Sequence, residues 1–197
     1  LLNDNQKKFL QSIKKKFSFS FIVDTFNRFE KLKPLIIGET IIDQYIFCEV
    51  LGKSGKEPHL VLKDEFKESY LGGAGAIANH LSSFCKKINF LSCIGDKNNN
   101  FKFINKNIKK NINKKIIKKK NSPTILKKRF LDIVSRNKLF GVYSMNDQMV
   151  DLNISKQIFK NIKTKFANSD LLIISDYGHG FISENLASNL SKLNKFT

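Results

Sequence analysis

Cysteine is scarce in this chain, with three residues in 197: Cys48, Cys85 and Cys93. The number is odd and the spacing forms no motif, which excludes a disulfide framework or a cysteine-based zinc site and fits a reducing, cytoplasmic setting. Long apolar runs are missing as well. No stretch reaches the roughly 20 residues a membrane-spanning helix needs, and no signal peptide opens the chain. Acidic residues are outnumbered, 17 Asp and Glu against 35 Lys and Arg, for a formal net charge of +18. Such an excess invites a nucleic-acid partner. However, neither the aromatic and basic pattern of an RNA-binding sheet nor a Cys/His finger spacing accompanies it. The lysines travel with Asn and Ile, as in residues 105–112. All three are encoded by A/T-rich codons, so compositional drift accounts for the charge, and nucleic acid is the weaker expectation.

Glycine and alanine are also sparse, which makes residues 71–81 stand out. There three glycines and three alanines are packed into Leu71-Gly72-Gly73-Ala74-Gly75-Ala76-Ile77-Ala78-Asn79-His80-Leu81. Gly72 and Gly73 can take positive φ cheaply, and the first turn of the helix that follows leaves N–H groups free for a polar or anionic ligand. A tight turn into a helix packed closely on a sheet would read the same way, so neighbouring residues must decide.

What is present supports a folded core: 41% of residues are hydrophobic and 18 are Phe. Residues 1–32 read as two helices, the first capped by Asp4 with Phe9, Leu10 and Ile13 on one face, the second with Phe21, Ile22, Phe26 and Phe29. Leu35-Ile36-Ile37 reads as a buried parallel strand that turns at Gly38. Strands are expected at 41–50 and 58–62, then the diglycine helix, a strand at 88–94, and a helix around Phe101, Ile104 and Ile108. The Lys/Asn-rich segment 97–121 is otherwise nearly mute, with a short strand at Ile116-Ile117. Strands at 124–134 and 139–144 turn near Arg136-Asn137. Ile154, Ile158, Ile162 and Phe166 mark a helix, residues 171–174 a buried strand, and Ser183 the cap of a helix through Leu193.

Strands alternating with helices imply βαβ units and a mainly parallel sheet covered on both faces. The strand pairs at about 44–62 and 124–144 break that rhythm and read as a small second sheet lying over the first as a lid. In open α/β sheets, ligands sit beyond the carboxyl ends of the strands. Asp43, an acceptor suited to a polyol, and Asp176, in the loop Asp176-Tyr177-Gly178-His179-Gly180, fall there. Lys127 and Arg129 alternate on one strand face, so both meet a ligand, such as a phosphate, or both meet water. His59, His80 and His179 share no metal-ligand spacing, and only His179 sits in a glycine-flanked loop.

Taken together, five segments resemble the ribokinase-like (PfkB) carbohydrate kinases, in order and in spacing, over residues 34–197. They are Ile37-Gly38-Glu39-Thr40-Ile41-Ile42-Asp43-Gln44-Tyr45, Gly72-Gly73-Ala74-Gly75-Ala76, Ile94-Gly95-Asp96, residues 122–129, and Ser175-Asp176-Tyr177-Gly178-His179-Gly180. The branch that phosphorylates heptose 7-phosphate is the most similar. The resemblance implies an αβα sandwich with a β-strand lid, ATP and Mg²⁺ as cofactors, and transfer of the γ-phosphoryl group to a sugar hydroxyl. Asp43, Gly72 and Gly73 would hold the sugar, Lys127 and Arg129 a sugar phosphate, and Asp176 and His179 would lie on the phosphate side. It further implies a homodimer through the lid and a nucleotidyltransferase domain fused upstream, of which residues 1–32 would be the helical linker to a kinase domain at 33–197.

Two positions depart from the family, which has Asn where this chain has Ala76 and Lys where it has His179. The family's Gly-Ala-Gly-Asp motif, which supplies an anion hole and the catalytic aspartate, occurs nowhere in the 197 residues. The chain therefore reads as the sugar-binding part of a kinase, a piece of a longer polypeptide whose base is expected beyond Thr197, and inactive alone. A non-catalytic sugar-binding or dimerisation module of the same fold is the alternative.

Overall fold

A computed structural model describes residues 2–98 and 100–193; the expected domain limit at Thr197 lies outside the described residues. In chain order the elements are α1 (Asp4–Lys16), α2 (Phe19–Phe29), β1 (Pro34–Lys53), β2 (Leu60–Gly72), α3 (Gly73–Leu81), β3 (Ile88–Lys97), α4 (Phe101–Asn107), β4 (Ile112–Pro123), β5 (Ile125–Asp132), β6 (Lys138–Ser144), α5 (Leu152–Phe166), β7 (Leu171–Ser175) and α6 (Glu184–Leu190).

The organising element is β1, and here expectation and structure differ. Instead of a short strand turning at Gly38 and a separate lid strand, the chain runs through twenty residues without a break. Its first half lies between β3 and β7, parallel to both. Its second half lies between β2, antiparallel, and β5, parallel, with β6 antiparallel beyond β5. The glycine at 38 serves close approach rather than a turn. Its φ is 150°, and a Cβ there would run into the carbonyl of Ser175 on β7.

The lid is thus continuous with the core sheet and is joined to it twice, once through β1 and again where β4 passes into β5 at Thr124. Its second strand runs from Leu60 to Gly72 rather than stopping at residue 62, so the strand delivers the chain directly to the diglycine.

Alternation along β1 explains the layers. Leu35 and Ile37 join Leu91, Ile158, Ile162 and Leu186 on the α5/α6 side. Ile36 joins Phe90, Ala74, Ala78 and Ile104 on the α3/α4 side. Successive strand residues point to opposite faces, so an unbroken apolar run is what a sheet covered on both sides demands. Each such side chain contributes about 1.5–3 kcal/mol of burial. The result is an αβα arrangement around a parallel core with a mixed lid.

Smaller corrections follow from hydrogen bonding. Asn3, not Asp4, caps α1. Its side chain accepts from Gln6 N–H at 2.9 Å while Gln6 returns the bond to Asn3 N–H, a capping box that Asp4 in the first turn cannot make. Ser183 caps α6 as expected, although that helix ends at Leu190. Neither α1 nor α2 buries any residue.

Candidate functional site

The lid sheet brings one face of several strands into register. Asp43 on β1 stands opposite Tyr70 on β2 and Lys127 on β5, and Tyr45 stands opposite Arg129. Lys127 in turn faces Tyr143 on β6. Residues two apart on a strand share a face, so Asp43, Tyr45, Lys127, Arg129 and Tyr143 form one polar, aromatic patch.

At its centre the Arg129 guanidinium donates to the Asp43 carboxylate in an ion pair whose two side chains are only 20% and 24% exposed. Arg129 also lies 5.5 Å from the Tyr45 ring centre and 5.9 Å from that of Tyr143. Lys127 Nζ lies 5.9 Å from the same Tyr143 ring. The two cations thus share a face and a ring, and the bond to Asp43 pushes the Arg129 pKa up from its already high ordinary value.

Gly72 and Gly73 lie against this patch. A Cβ at Gly72 would run into Asp43 Oδ2, so only glycine leaves the carboxylate where it is. Gly73 has a φ of 59°, and a Cβ there would meet the Glu39 carbonyl. It opens α3, whose first residues Gly73, Ala74 and Gly75 are all buried.

Glu39, to which sequence reasoning assigned no role, connects the two small-residue loops. Fully buried, its carboxylate accepts N–H bonds from Tyr177 (3.1 Å), His179 (3.2 Å) and Phe181 (3.2 Å). The available signal was an acid directly after an apolar strand, a place where burial forces a carboxylate to find donors.

Lys119 holds the same loop from the other side. Its ammonium donates to the carbonyls of Asn146 (2.6 Å), Gln148 and His179 (3.2 Å). Burial holds its pKa below the usual lysine range.

In the loop at 176–180 the His179 ring is buried, with Nδ1 2.7 Å from Asp147 Oδ1 and Nε2 without a partner among the described residues. The physical reason is the anchoring of its own backbone, N–H to Glu39 and C=O to Lys119, which turns the ring inward. Asp176 is exposed, and its carboxylate accepts from Gly178 N–H at 2.9 Å within its own loop. The structure therefore gathers Asp43, Gly72, Gly73, Lys127 and Arg129, and links to them, through Glu39, the backbone of the loop that carries Asp176 and His179.

Cys93 lies beside this anchor. Burial, with the charge of Glu39 adding to it, pushes its thiol up to about 12. Cys48 and Cys85 are also buried and raised, chiefly by burial. The thiolate is the reactive form, so the folded protein at pH 8 is expected to leave all three thiols unreacted with an aromatic disulfide reagent. All three should react in guanidinium. Rapid native labelling of Cys93 would contradict its placement.

Comparison with known proteins agrees with this architecture. No family model matches the chain. In sequence it is similar to the bifunctional protein HldE of Aliarcobacter butzleri, 27% identical over 163 residues that cover 82% of this chain and 34% of that protein. The chain thus spans about a third of the length of the curated relatives it matches. In structure it is similar to a possible 1-phosphofructokinase from Thermotoga maritima, at TM-score 0.58 and 14% identity, covering 80% of this chain and 49% of that one. It is also similar to the nucleoside kinase of Methanocaldococcus jannaschii, an archaeal member of the ribokinase family. That match has TM-score 0.52 and 20% identity and covers 84% of this chain and 51% of that one. Over its described residues the chain therefore has the ribokinase-like fold of the PfkB carbohydrate kinases, with the bifunctional HldE proteins among its sequence relatives.

Proposed function

We propose that residues 33–197 form the acceptor-binding part of an ATP-dependent carbohydrate kinase whose acceptor is a sugar phosphate. The observation that carries this reading is the Asp43–Arg129 pair set against Gly72 on the lid face. A carboxylate there accepts bonds from sugar hydroxyls, while Arg129 and Lys127, beside it on the same face, supply two cations to a phosphate on the same ligand. Tyr45 and Tyr143 offer ring faces to the sugar's C–H surface. Phosphoryl transfer depends on positioning and on exclusion of water. In this reading the lid, joined to the core through two strands, closes over the acceptor.

The resemblance of the motifs and the HldE relatives favours a heptose 7-phosphate as acceptor. It also takes residues 1–32 as a linker to an upstream nucleotidyltransferase domain, the lid as a homodimer contact, and the cytoplasm as the compartment. ATP would supply the transferred phosphoryl group. Mg²⁺, held largely by the phosphates of ATP with one or two carboxylates, would accompany it. The chain's own contribution is to bind and orient the acceptor. With no Gly-Ala-Gly-Asp sequence in the 197 residues, the chain alone is expected to transfer no phosphate, and this same feature favours a non-catalytic sugar-binding module as the second reading.

The test is calorimetry of the purified chain with heptose 7-phosphate, fructose 6-phosphate, the free sugars and inorganic phosphate, combined with an ATP-consumption assay. Saturable binding of a sugar phosphate over its free sugar, without turnover, is expected. Equal weak binding of every anion would remove the proposal, and turnover of ATP would remove the claim that the chain is inactive alone.

A further inference from the structure

The two N-terminal helices contribute nothing to the site above, and we propose that they dock the protein on an anionic lipid surface. α1 buries none of its residues, although at 100° per residue Phe9, Leu10 and Ile13 fall on one arc of it. Phe9 is 63% exposed and Leu10 48%. Around and opposite that arc stand Lys7, Lys8, Lys14, Lys15 and Lys16, against the single acid Asp4. α2 adds exposed apolar surface without lysines: Phe19 is 81% exposed, while Phe26 stacks on Phe84 with ring centres 6.0 Å apart and ties the helix to the domain. Phe17 stacks on Phe21 across the junction, with ring centres 5.2 Å apart, and couples the helices.

A helix in a soluble protein normally turns its apolar stripe to the core, and α1 does not. Charge selects among the surfaces that could cover it. A second copy seated on this face would set the five lysines of one α1 against those of the other. A nucleic acid would satisfy the lysines and leave Phe9, Leu10 and Phe19 in water. An anionic bilayer surface satisfies both sets: the rings and leucine enter the headgroup boundary while the lysine ammonium groups stay level with the phosphates. No helix among the described residues is long and apolar enough to cross a membrane, and a helix lying in the interface needs no such length.

The experiment is co-sedimentation of the full 197-residue chain with vesicles of phosphatidylcholine alone or mixed with phosphatidylglycerol. Binding is expected to the mixed vesicles only and to weaken as salt rises. The triple variant Lys14→Gln, Lys15→Gln, Lys16→Gln is expected to lose roughly fivefold in affinity per lysine. Phe9→Gln with Leu10→Gln should abolish binding. Because α1 buries no residue, both variants should keep the parent's thermal unfolding profile, which separates lost docking from lost folding. Any of four results overturns the proposal: no binding to either vesicle, equal binding to both, binding unchanged in both variants, or a concentration-dependent dimer that the Phe9/Leu10 variant dissolves.

Discussion

Replacing Glu39 with Ala is expected to lower the stability of the folded chain by about 3–5 kcal/mol and to release the loop at 176–180. The Glu39 carboxylate accepts three backbone N–H groups, those of Tyr177, His179 and Phe181, and is itself fully buried. Removing it leaves three donors without an acceptor, each costing roughly 1–3 kcal/mol, partly offset by water entering the space. Glu39→Gln keeps the shape but loses the charge and turns an N–H₂ toward one of those donors, so a smaller loss, about 2 kcal/mol, is expected. Urea denaturation gives the stability, and hydrogen exchange at Tyr177 and Phe181 reports the loop. If both variants unfold at the parent's midpoint, Glu39 is not the joint between the Gly73 turn and this loop. Should the alanine variant fail to fold, the glutamine variant still tests the claim.

The second large effect concerns ligand binding. Asp43→Asn is expected to weaken sugar-phosphate binding by about 10- to 100-fold, the usual worth of a hydrogen bond to a charged group. The change is nearly isosteric and leaves Gly72 its clearance, so the fold is expected to persist. Arg129, released from its partner, remains between the rings of Tyr45 and Tyr143. Affinity for inorganic phosphate should therefore hold or rise while affinity for the sugar phosphate falls, a divergence that a merely structural role for Asp43 would not produce. Arg129→Gln should do the reverse, reducing discrimination between a sugar phosphate and its free sugar. Parallel losses for every ligand in both variants would mean that the pair only braces the lid.

Much of the architecture was legible in the residues because it depends on local pattern. The apolar run Leu35-Ile36-Ile37 required a strand covered on both faces, and Ile154, Ile158 and Ile162 required an amphipathic helix. Gly72-Gly73 before a small-residue segment pointed to a helix start, and left open whether a ligand or a close-packed sheet lies against it. Boundaries were less legible. Gly38 suggests a turn in sequence, whereas its neighbour β7 needs it for close approach within an unbroken strand. Residues 63–71 carry five charged side chains that hide a strand, since an exposed lid strand pairs through its backbone whatever its side chains.

The site divides in the same way. Lys127 and Arg129 were readable because alternation puts residues two apart on one face, and Asp43 because it follows closely on an apolar strand. That Arg129 bonds Asp43 depends on the register of β1 with β5, strands more than 80 residues apart in the chain. Likewise the inward turn of His179, and the roles of Glu39 and Lys119, arise from burial and long-range hydrogen bonds. The amino-acid order by itself determined which segments are strands and helices and which side chains share a face, because those follow from short-range periodicity. Only the tertiary structure decided which charges neutralise each other and which loop is anchored, because strand register and desolvation are properties of the assembled sheet.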